Sequence, residues 1–236
     1  MLDLKRIHII RDSEFSLLKD ISGLERIIFN LGLNIENQDE LPLCIINNGG
    51  GLKIWQYPNQ FTKYLITLST LGPINSYIEI GCRWGGTFIL TCEYLSRFFS
   101  LERCVAVDMI QSPVETYCDY NSICTFKQTD SHSEEFKIYM KDNKFDLIFI
   151  DGDHTYEGVK EDYTACINSG NIFVFHDIVN AKCEGVIKFW NELKNNSNDT
   201  YDFYEFIDQY DEVIQRSGNH FLGIGLAVKK SKGIAH

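Results

Sequence analysis

The feature that most constrains the fold is a regular alternation of β-rich and helical segments from Ile74 onward. The strand-like runs SYIEIG, RCVAVDM, ICTFKQTD, KFDLIFIDGD and NIFVFHD are separated by stretches with helical patterns. The fourth run is almost continuously apolar before its last residues, as expected of a strand that is buried on both faces. This alternation predicts βαβ units, a parallel sheet and helices on both faces of that sheet.

The end of the chain breaks this alternation. YDFYEFID and FLGIGLAVKK both have strand patterns, and the connection between them, QYDEVIQRSGNH, is too short for a convincing crossover helix. We therefore expect the two strands to pair antiparallel at one edge. An open, doubly wound α/β sheet of seven mostly parallel strands with an antiparallel last strand suggests the fold of the S-adenosylmethionine-dependent methyltransferases. A plain dinucleotide-binding fold would add another βα unit instead.

The first part of the chain has a different pattern. DSEFSLLKDISGLERIIFNLGL carries apolar residues at helical spacing, with Asp12 or Ser13 as the expected N-cap. IWQYPNQFTKYLITLSTLG predicts a second amphipathic helix, with Pro58 near its start. We therefore predict an N-terminal helical cap or lid over residues 1–72 and a cofactor-binding domain over residues 73–236.

Charge and composition narrow the classes of partner. The net charge of −11 argues against binding to DNA or RNA, which requires an excess of Lys and Arg. The N-terminus lacks the features of a signal peptide, and no stretch approaches the ~20 apolar residues of a membrane span. The eight cysteines form no C-x-x-C pair, so we expect reduced, mostly buried thiols and a cytoplasmic protein. The sequence does not decide between a monomer and a homo-oligomer.

Ligands of open α/β sheets bind beyond the carboxyl ends of the strands, which directs attention to the end of the first strand, YIEIGCRWGGTF. Gly81 permits a tight turn, and Gly85 permits a close approach between backbone and ligand. The dinucleotide pattern G-x-G-x-x-G is not met, because position 83 is Arg and the spacing differs. The carboxylate of Glu79 would repel a phosphate but suits a cofactor that carries an ammonium and a sulfonium group.

The next two strand ends offer further polar groups. Asp108, with Met109 beside it, could accept hydrogen bonds from both ribose hydroxyls of a cofactor, or it could cap a helix. Asp130 and Ser131 could bond the edge of an adenine. Ser131 together with Glu134 also fits a capping box, and the two roles are compatible.

Taken together, the segments EIGCRWGGTF, AVDM, FIDGDHTYEGVKEDY and VFHDI resemble class I S-adenosylmethionine-dependent methyltransferases. More narrowly, they resemble the bacterial group that includes sugar O-methyltransferases and cephalosporin-hydroxylase-like proteins. The resemblance covers about residues 74–230. It implies S-adenosylmethionine as cofactor, with Glu79, Gly81 and Asp108 at its methionine tail and ribose and with Asp130 and Ser131 near its adenine.

The same resemblance bears on the chemistry of FIDGDHTYEGV. Asp151 follows the fourth strand, and His176 and Asp177 follow the fifth, so these side chains are expected close together. Catechol O-methyltransferase-like enzymes hold Mg²⁺ at comparable positions and place a lysine base where this chain has His154. Since imidazole is a poor Mg²⁺ ligand, the ion could be Mn²⁺ or another transition ion, or could be absent. His154 is the predicted general base, and Asp153 is the predicted cap of the next helix.

The sequence therefore predicts an O-methyltransferase that acts on a carbohydrate or a carbohydrate-linked group of a bacterial surface glycan, such as a capsule or lipopolysaccharide. The acceptor could also be a phosphoramidate or phosphoryl oxygen on such a glycan, or a related secondary metabolite. Two alternatives remain: an oxidoreductase that uses NAD or a nucleotide, and a non-catalytic partner subunit of the same fold. The altered glycine spacing argues against the first, and the presence of Asp108, Asp151 and His154 argues against the second. Four aromatic residues could line an acceptor pocket or belong to the core: Trp55, Tyr57, Trp84 and Tyr156.

Overall fold

A computed structural model describes residues 2–46 and 49–230 of the chain. Its centre is one seven-stranded sheet with the spatial order β3-β2-β1-β4-β5-β7-β6. The first five strands are parallel, and β7 is antiparallel to both β5 and β6. This confirms the predicted fold class. The strands are β1 (Ser76–Ile80), β2 (Arg103–Asp108), β3 (Cys124–Gln128), β4 (Phe145–Ile150), β5 (Gly170–His176), β6 (Tyr201–Phe206) and β7 (Ile224–Lys229).

Helices cover both faces of the sheet. Within the described ranges, none of them is long and apolar enough to cross a membrane. They are α1 (His8–Arg11), α2 (Phe15–Lys19), α3 (Ile21–Leu31), α4 (Leu43–Ile46), α5 (Pro58–Leu68), α6 (Gly86–Leu95), α7 (Val114–Tyr120), α8 (Glu134–Asp142), α9 (Tyr156–Cys166), α10 (Glu184–Ser197) and α11 (Asp211–Ser217).

The strand periodicity divides the core into two apolar clusters. Phe149 of β4 belongs to one cluster, and its neighbours Ile148 and Ile150 belong to the other, because successive side chains of a strand point to opposite faces. The first cluster also contains the N-terminal segment: the ring of Tyr64 on α5 lies 6.1 Å from the ring of Phe149. The N-terminal segment is thus helical, as predicted, and packs directly on the sheet. Its boundary with the domain at residue 73 stays a prediction, and residue 1, residues 47 and 48 and residues 231–236 of the predicted units lie outside the described residues.

The secondary structure differs from the prediction at two places, one near each end of the chain. The predicted first helix is interrupted: α2 ends at Lys19, and α3 begins after Asp20, whose side chain accepts a hydrogen bond from Gly23 N. The N-cap position of α2 is Glu14, and Asp12 is instead the C-cap of α1, so the predicted N-cap at Asp12 or Ser13 was wrong. The connection between β6 and β7 forms the short helix α11, although these strands pair antiparallel as expected.

Three further local predictions need correction. Ser133 rather than Ser131 caps α8, because its hydroxyl accepts from Phe136 N at 3.2 Å. Thr155 rather than Asp153 caps α9. The side chain of Asp153 instead accepts a hydrogen bond from Thr155 N, two residues further on, at 2.8 Å. The stretch YEGVKEDYTACINSG predicts a helix that ends on Gly170, but α9 ends at Cys166 and Gly170 is the first residue of β5. The position of Pro58 at the start of α5 is confirmed.

Candidate active site

A pocket of about 700 Å³ lies at the carboxyl ends of the parallel strands, under the N-terminal segment. This is an ordinary volume for a small-molecule or cofactor site. All residues predicted to bind the cofactor or a metal, and the predicted general base, line it. They are Glu79, Gly81, Gly85, Asp108, Met109, Asp130, Ser131, Asp151, His154, His176 and Asp177. The structure thus brings the whole predicted set together in one cavity.

Backbone strain is concentrated in the same pocket. Of the described residues other than glycine, four have a positive φ: Lys53 (54°), Arg83 (45°), Asp177 (62°) and Leu222 (58°). All four line the pocket. Left-handed backbone is unfavourable for side-chain-bearing residues, and such strain clusters at functional sites.

Glycine is required where β1 and β4 end. Gly81 has a φ of +85°, and a Cβ built on it would lie 2.0 Å from the carbonyl oxygen of Asp151. Any side chain at position 81 would therefore push apart the two loops that shape the pocket. At Gly85, by contrast, a Cβ would meet the side chain of Val114 at 2.4 Å, so this glycine makes room for α7.

Two carboxyl groups lie at the glycine-rich end of the pocket. Glu79 is 2% exposed and accepts a hydrogen bond from the hydroxyl of Tyr77. Its burial raises its pKa to about 8, so the carboxyl is mainly neutral at pH 7. Asp108 accepts hydrogen bonds from the backbone N–H groups of Arg83 (2.7 Å) and Ile110 (3.1 Å), which fix its carboxylate at the end of β2.

The loop after β3 forms the adjoining wall. Asp130 accepts from His132 N at 2.9 Å, so its side chain holds this turn. Behind the loop, Asp162 of α9 is fully buried, and Nε2 of His132 lies 3.3 Å from its Oδ1. Burial raises the pKa of Asp162 to about 6. No role was predicted for Asp162 or His132 from the sequence; Asp162 lies in the segment FIDGDHTYEGVKEDY, which carries the family resemblance, whereas His132 lies outside the segments that carry it.

Four side chains converge at the ends of β4 and β5. Nε2 of His154 lies 3.1 Å from Oδ1 of Asp151 and 3.2 Å from Oδ2 of Asp177. Nδ1 of His176 lies 3.2 Å and 3.4 Å from the same two oxygen atoms. His176 is 4% exposed, and in the described part of the chain neither of its ring nitrogens makes a hydrogen bond of good geometry.

Mutual attraction sets the protonation of this cluster. Burial would raise the pKa of Asp151 and of Asp177, but the charge of His176 and the close contacts with both imidazoles hold both pKa values below the usual range. The hydrogen bond to Asp151 raises the pKa of His154, against its partial burial. Burial would lower the pKa of His176, yet the two aspartates raise it well above its usual value. The two carboxylates are therefore anions that attract either protons or a metal cation.

The geometry of the cluster fits a divalent ion. Its cross-contacts of 3.1–3.4 Å approach the ~3.4 Å edge of a tetrahedron with bonds of ~2.1 Å. Ligand atoms of Asp151, His176 and Asp177 all lie within 4.8 Å of one another. Unpartnered imidazole nitrogens beside carboxylate oxygens form the mixed donor set that suits transition ions better than Mg²⁺.

Sequence reasoning missed the residues that support this cluster. Asn180 donates to Oδ1 of Asp177 at 2.9 Å, and the thiol of Cys183 lies 3.4 Å from its Oδ2. Of the four candidate aromatic residues, Trp55 and Trp84 line the pocket. Tyr57 is fully buried, and Tyr156 is bonded to Glu192 on α10, away from the cavity.

Most of the eight cysteines are buried, as predicted: Cys82, Cys92, Cys104, Cys124, Cys166 and Cys183.

Comparison with known proteins gives the class. Residues 78–178, from β1 to just past β5, match the family model described as a methyltransferase domain. This segment is less than half of the chain but contains Glu79, Asp108, Asp151 and Asp177. The chain therefore carries a methyltransferase domain and is an enzyme. No curated protein matches it by sequence.

Solved structures agree on the fold. The chain is similar to cofactor-bound Rv0187 from MTB, with a TM-score of 0.55 and 13% identity over 93% of this chain and 92% of that one. It is also similar to a candidate RNA methyltransferase from Pyrococcus horikoshii (TM-score 0.53, 11% identity) and to protein 1320 of Thermoplasma acidophilum (TM-score 0.51, 14% identity). Each of these two matches covers 89% of this chain and 98% of the other. At such identities the likeness defines the fold, and the narrower sugar O-methyltransferase group stays a prediction.

The raised pKa of Glu79 predicts a pH-dependent stability. Because its folded pKa of about 8 exceeds the unfolded value, its stabilising contribution is complete below about pH 4.5 and is lost as the pH rises through 8. Glu79→Gln, which imitates the neutral acid, should therefore be more stable than the unmodified protein by roughly 1 kcal/mol at pH 5 and by roughly 4–5 kcal/mol at pH 9. Urea unfolding of the ligand-free protein at several pH values measures this difference. Glu157→Gln, at an exposed position, is the control, and a pH-independent difference for Glu79→Gln would contradict the assignment.

Proposed function

We propose that the chain is an S-adenosylmethionine-dependent O-methyltransferase. The observation that carries this proposal is the presence, in one pocket, of two carboxyl groups suited to the cofactor and a cluster of two carboxylates and two imidazoles suited to activating an acceptor. The two carboxyl groups suited to the cofactor lie at the ends of β1 and β2. The cluster suited to activating the acceptor lies at the ends of β4 and β5. The methyltransferase-domain match spans both.

The cofactor would bind along the ends of β1 to β3. Glu79 is neutral without ligand, and a nearby ammonium or sulfonium would favour its ionised form. Asp108 would accept hydrogen bonds from the ribose hydroxyls. The exposed apolar side chain of Met109 and the polar groups of Asp130 and Ser131 would face the adenine. S-adenosylmethionine supplies the electrophilic methyl group.

Asp151 and His154 would manage the proton of the acceptor. When Nε2 of His154 donates to Asp151, the lone pair on Nδ1 is free to accept a proton from a hydroxyl. The carboxylate fixes this tautomer and stabilises the imidazolium that results. This is general base catalysis, which a sugar hydroxyl needs at neutral pH.

Asp151, His176 and Asp177 would hold a divalent ion. Such an ion would stabilise the negative charge that develops on the acceptor oxygen. The mixed nitrogen and oxygen donors favour Mn²⁺ or another transition ion over Mg²⁺. The acceptor we propose is a hydroxyl of a carbohydrate or of a carbohydrate-linked group, since Trp55 and Trp84 present aromatic surface to the same cavity.

Binding of S-adenosylhomocysteine tests the cofactor assignment. The unmodified chain should bind it at one site by isothermal titration calorimetry. Asp108→Asn keeps an oxygen for Arg83 N but loses the charge, so affinity should fall at least tenfold, as expected for a hydrogen bond to a charged group. Asp142→Asn, which changes an exposed aspartate of α8, should bind normally. Binding of NAD in place of S-adenosylhomocysteine would instead support the oxidoreductase alternative.

Thermal unfolding with added ions tests the metal assignment. Mn²⁺ should raise the unfolding temperature at concentrations where Mg²⁺ does not, because an ion that binds only the folded state stabilises it. Asp177→Asn should abolish the shift, and Asn tolerates the left-handed backbone at this position. Asp199→Asn, at an exposed position, should preserve it. Equal shifts in the two variants would contradict the site.

Methyl transfer tests the role of His154. Incorporation of labelled methyl groups from S-adenosylmethionine into a glycan fraction should fall at least 100-fold in His154→Gln, the range attributed to general base catalysis. Binding of S-adenosylhomocysteine should be retained. The exposed His220→Gln serves as control. Full activity of His154→Gln would refute the assignment of the base.

A further inference from the structure

Trp84 lies close to two cations at the side of the pocket that faces the N-terminal segment. Nζ of Lys53 is 3.8 Å from the centre of its ring, and the guanidinium carbon of Arg83 is 5.6 Å away. The indole Nε1 is buried and has no hydrogen-bond partner among the described residues. All three residues line the cavity.

The two cations have few counter-charges. Across residues 2–46 and 49–230, the side chain of Lys53 makes no ion pair and no hydrogen bond, and its ammonium instead lies over the ring of Trp84. Within the same ranges, the guanidinium of Arg83 pairs with one carboxylate, that of Glu36, at the long distance of 4.0 Å. By contrast Lys182, the third cation of the cavity, contacts buried Glu40 at 2.7 Å.

The backbone holds these two side chains in place from separate loops. Lys53 belongs to the segment before α5, and Arg83 belongs to the turn after β1. Both have a positive φ, of 54° and 45°. A glycine at either position would adopt the same backbone conformation without strain. A strained residue whose side chain faces a cavity therefore indicates a binding role rather than a structural one.

Acidic side chains predominate in the rest of the pocket, although Glu79 is mainly neutral, Lys182 pairs with Glu40, and two imidazoles face Asp151 and Asp177. Seven carboxyl-bearing residues line the pocket: Glu40, Glu79, Asp108, Asp130, Asp151, Asp153 and Asp177. In a chain with a net charge of −11, the side formed by Lys53 and Arg83 is therefore the part of the cavity where a negatively charged ligand group is attracted.

We propose that Lys53, Arg83 and Trp84 form a subsite for an oxyanion, a carboxylate or phosphate group of a bound ligand. The guanidinium presents paired N–H donors that match such a group, the ammonium adds a point charge, and indole Nε1 offers a further donor. The subsite deepens the proposed function, on which its biological meaning rests. The oxyanion belongs either to the methionine portion of the cofactor or to the acceptor, which would then be an acidic or phosphorylated molecule.

The test uses the full-length chain and three probes: S-adenosylhomocysteine, 5′-methylthioadenosine, which lacks the carboxylate, and inorganic phosphate. The variants are Lys53→Met, Arg83→Met and the conservative Lys53→Arg. Lys160→Met is the matched control, because that ammonium lies 5.1 Å from the ring of Tyr156, outside the cavity. Affinities are measured by isothermal titration calorimetry at low salt.

Both methionine variants should weaken binding of an oxyanion at least fivefold, and Lys53→Arg should restore it. If S-adenosylhomocysteine is affected and 5′-methylthioadenosine is not, the oxyanion is the carboxylate of the cofactor. If only phosphate is affected, the oxyanion belongs to the acceptor. Unchanged affinities for S-adenosylhomocysteine and phosphate, or an equal loss for 5′-methylthioadenosine, would overturn the subsite. Should the unmodified chain bind phosphate but not S-adenosylhomocysteine, the proposed function fails while the subsite stands.

Discussion

The parallel pairing of β4 with β5 is the constraint on which the site depends. Ile150 pairs with Phe175, so the residues that follow these strands emerge side by side at one edge of the sheet. The backbone N–H of Asp151 donates to Ile80 O at 2.8 Å, which anchors the same loop to β1. At position 81 only glycine fits against the carbonyl group of Asp151. These contacts hold β1, β4 and β5 together at the point where the chemistry is proposed to occur.

Charge balance explains how so many ionisable groups remain in one cavity. An isolated buried carboxylate is costly, but here each aspartate of the cluster faces two imidazoles at 3.1–3.4 Å. Glu79 has no such partner and instead becomes neutral. The ion pair of Lys182 with Glu40 connects the loop after β5 with the N-terminal segment, so the wall over the pocket is held by charge as well as by apolar packing. The cavity is therefore polarised, with carboxylates along the strand ends and cations toward the N-terminal segment.

The parts of this arrangement that the sequence predicts are the parts that local patterns encode. Strand and helix periodicities are visible within ten residues, and the rule that sites lie at the carboxyl ends of parallel strands then selects Asp108, Asp151 and Asp177. The N-cap residue is harder to predict. Ser131 and Ser133 both precede α8 and both have a side chain that can cap it, and only the exact start of the helix decides between them. The same holds for Asp153 and Thr155 before α9. The interruption at Asp20 likewise depends on how α3 packs.

The remaining features depend on contacts between distant segments. Lys53 meets Trp84, and Lys182 meets Glu40, across long stretches of sequence with no periodic signal. The positive φ values of Lys53, Arg83 and Asp177 likewise follow from the assembled loops, since none is a glycine. Asp151, His176 and Asp177 were expected close together from the sequence. The contacts of His154 with both aspartates are visible only in the packed structure.

A crystal structure of the chain grown with S-adenosylhomocysteine and Mn²⁺ tests the central claim most directly. We predict that the ribose hydroxyls donate hydrogen bonds to Asp108 and that the sulfur atom faces the ends of β4 and β5. The ion should lie between Asp151, His176 and Asp177. A ligand bound outside this cavity, or a cavity that stays empty at saturating ligand, would contradict it.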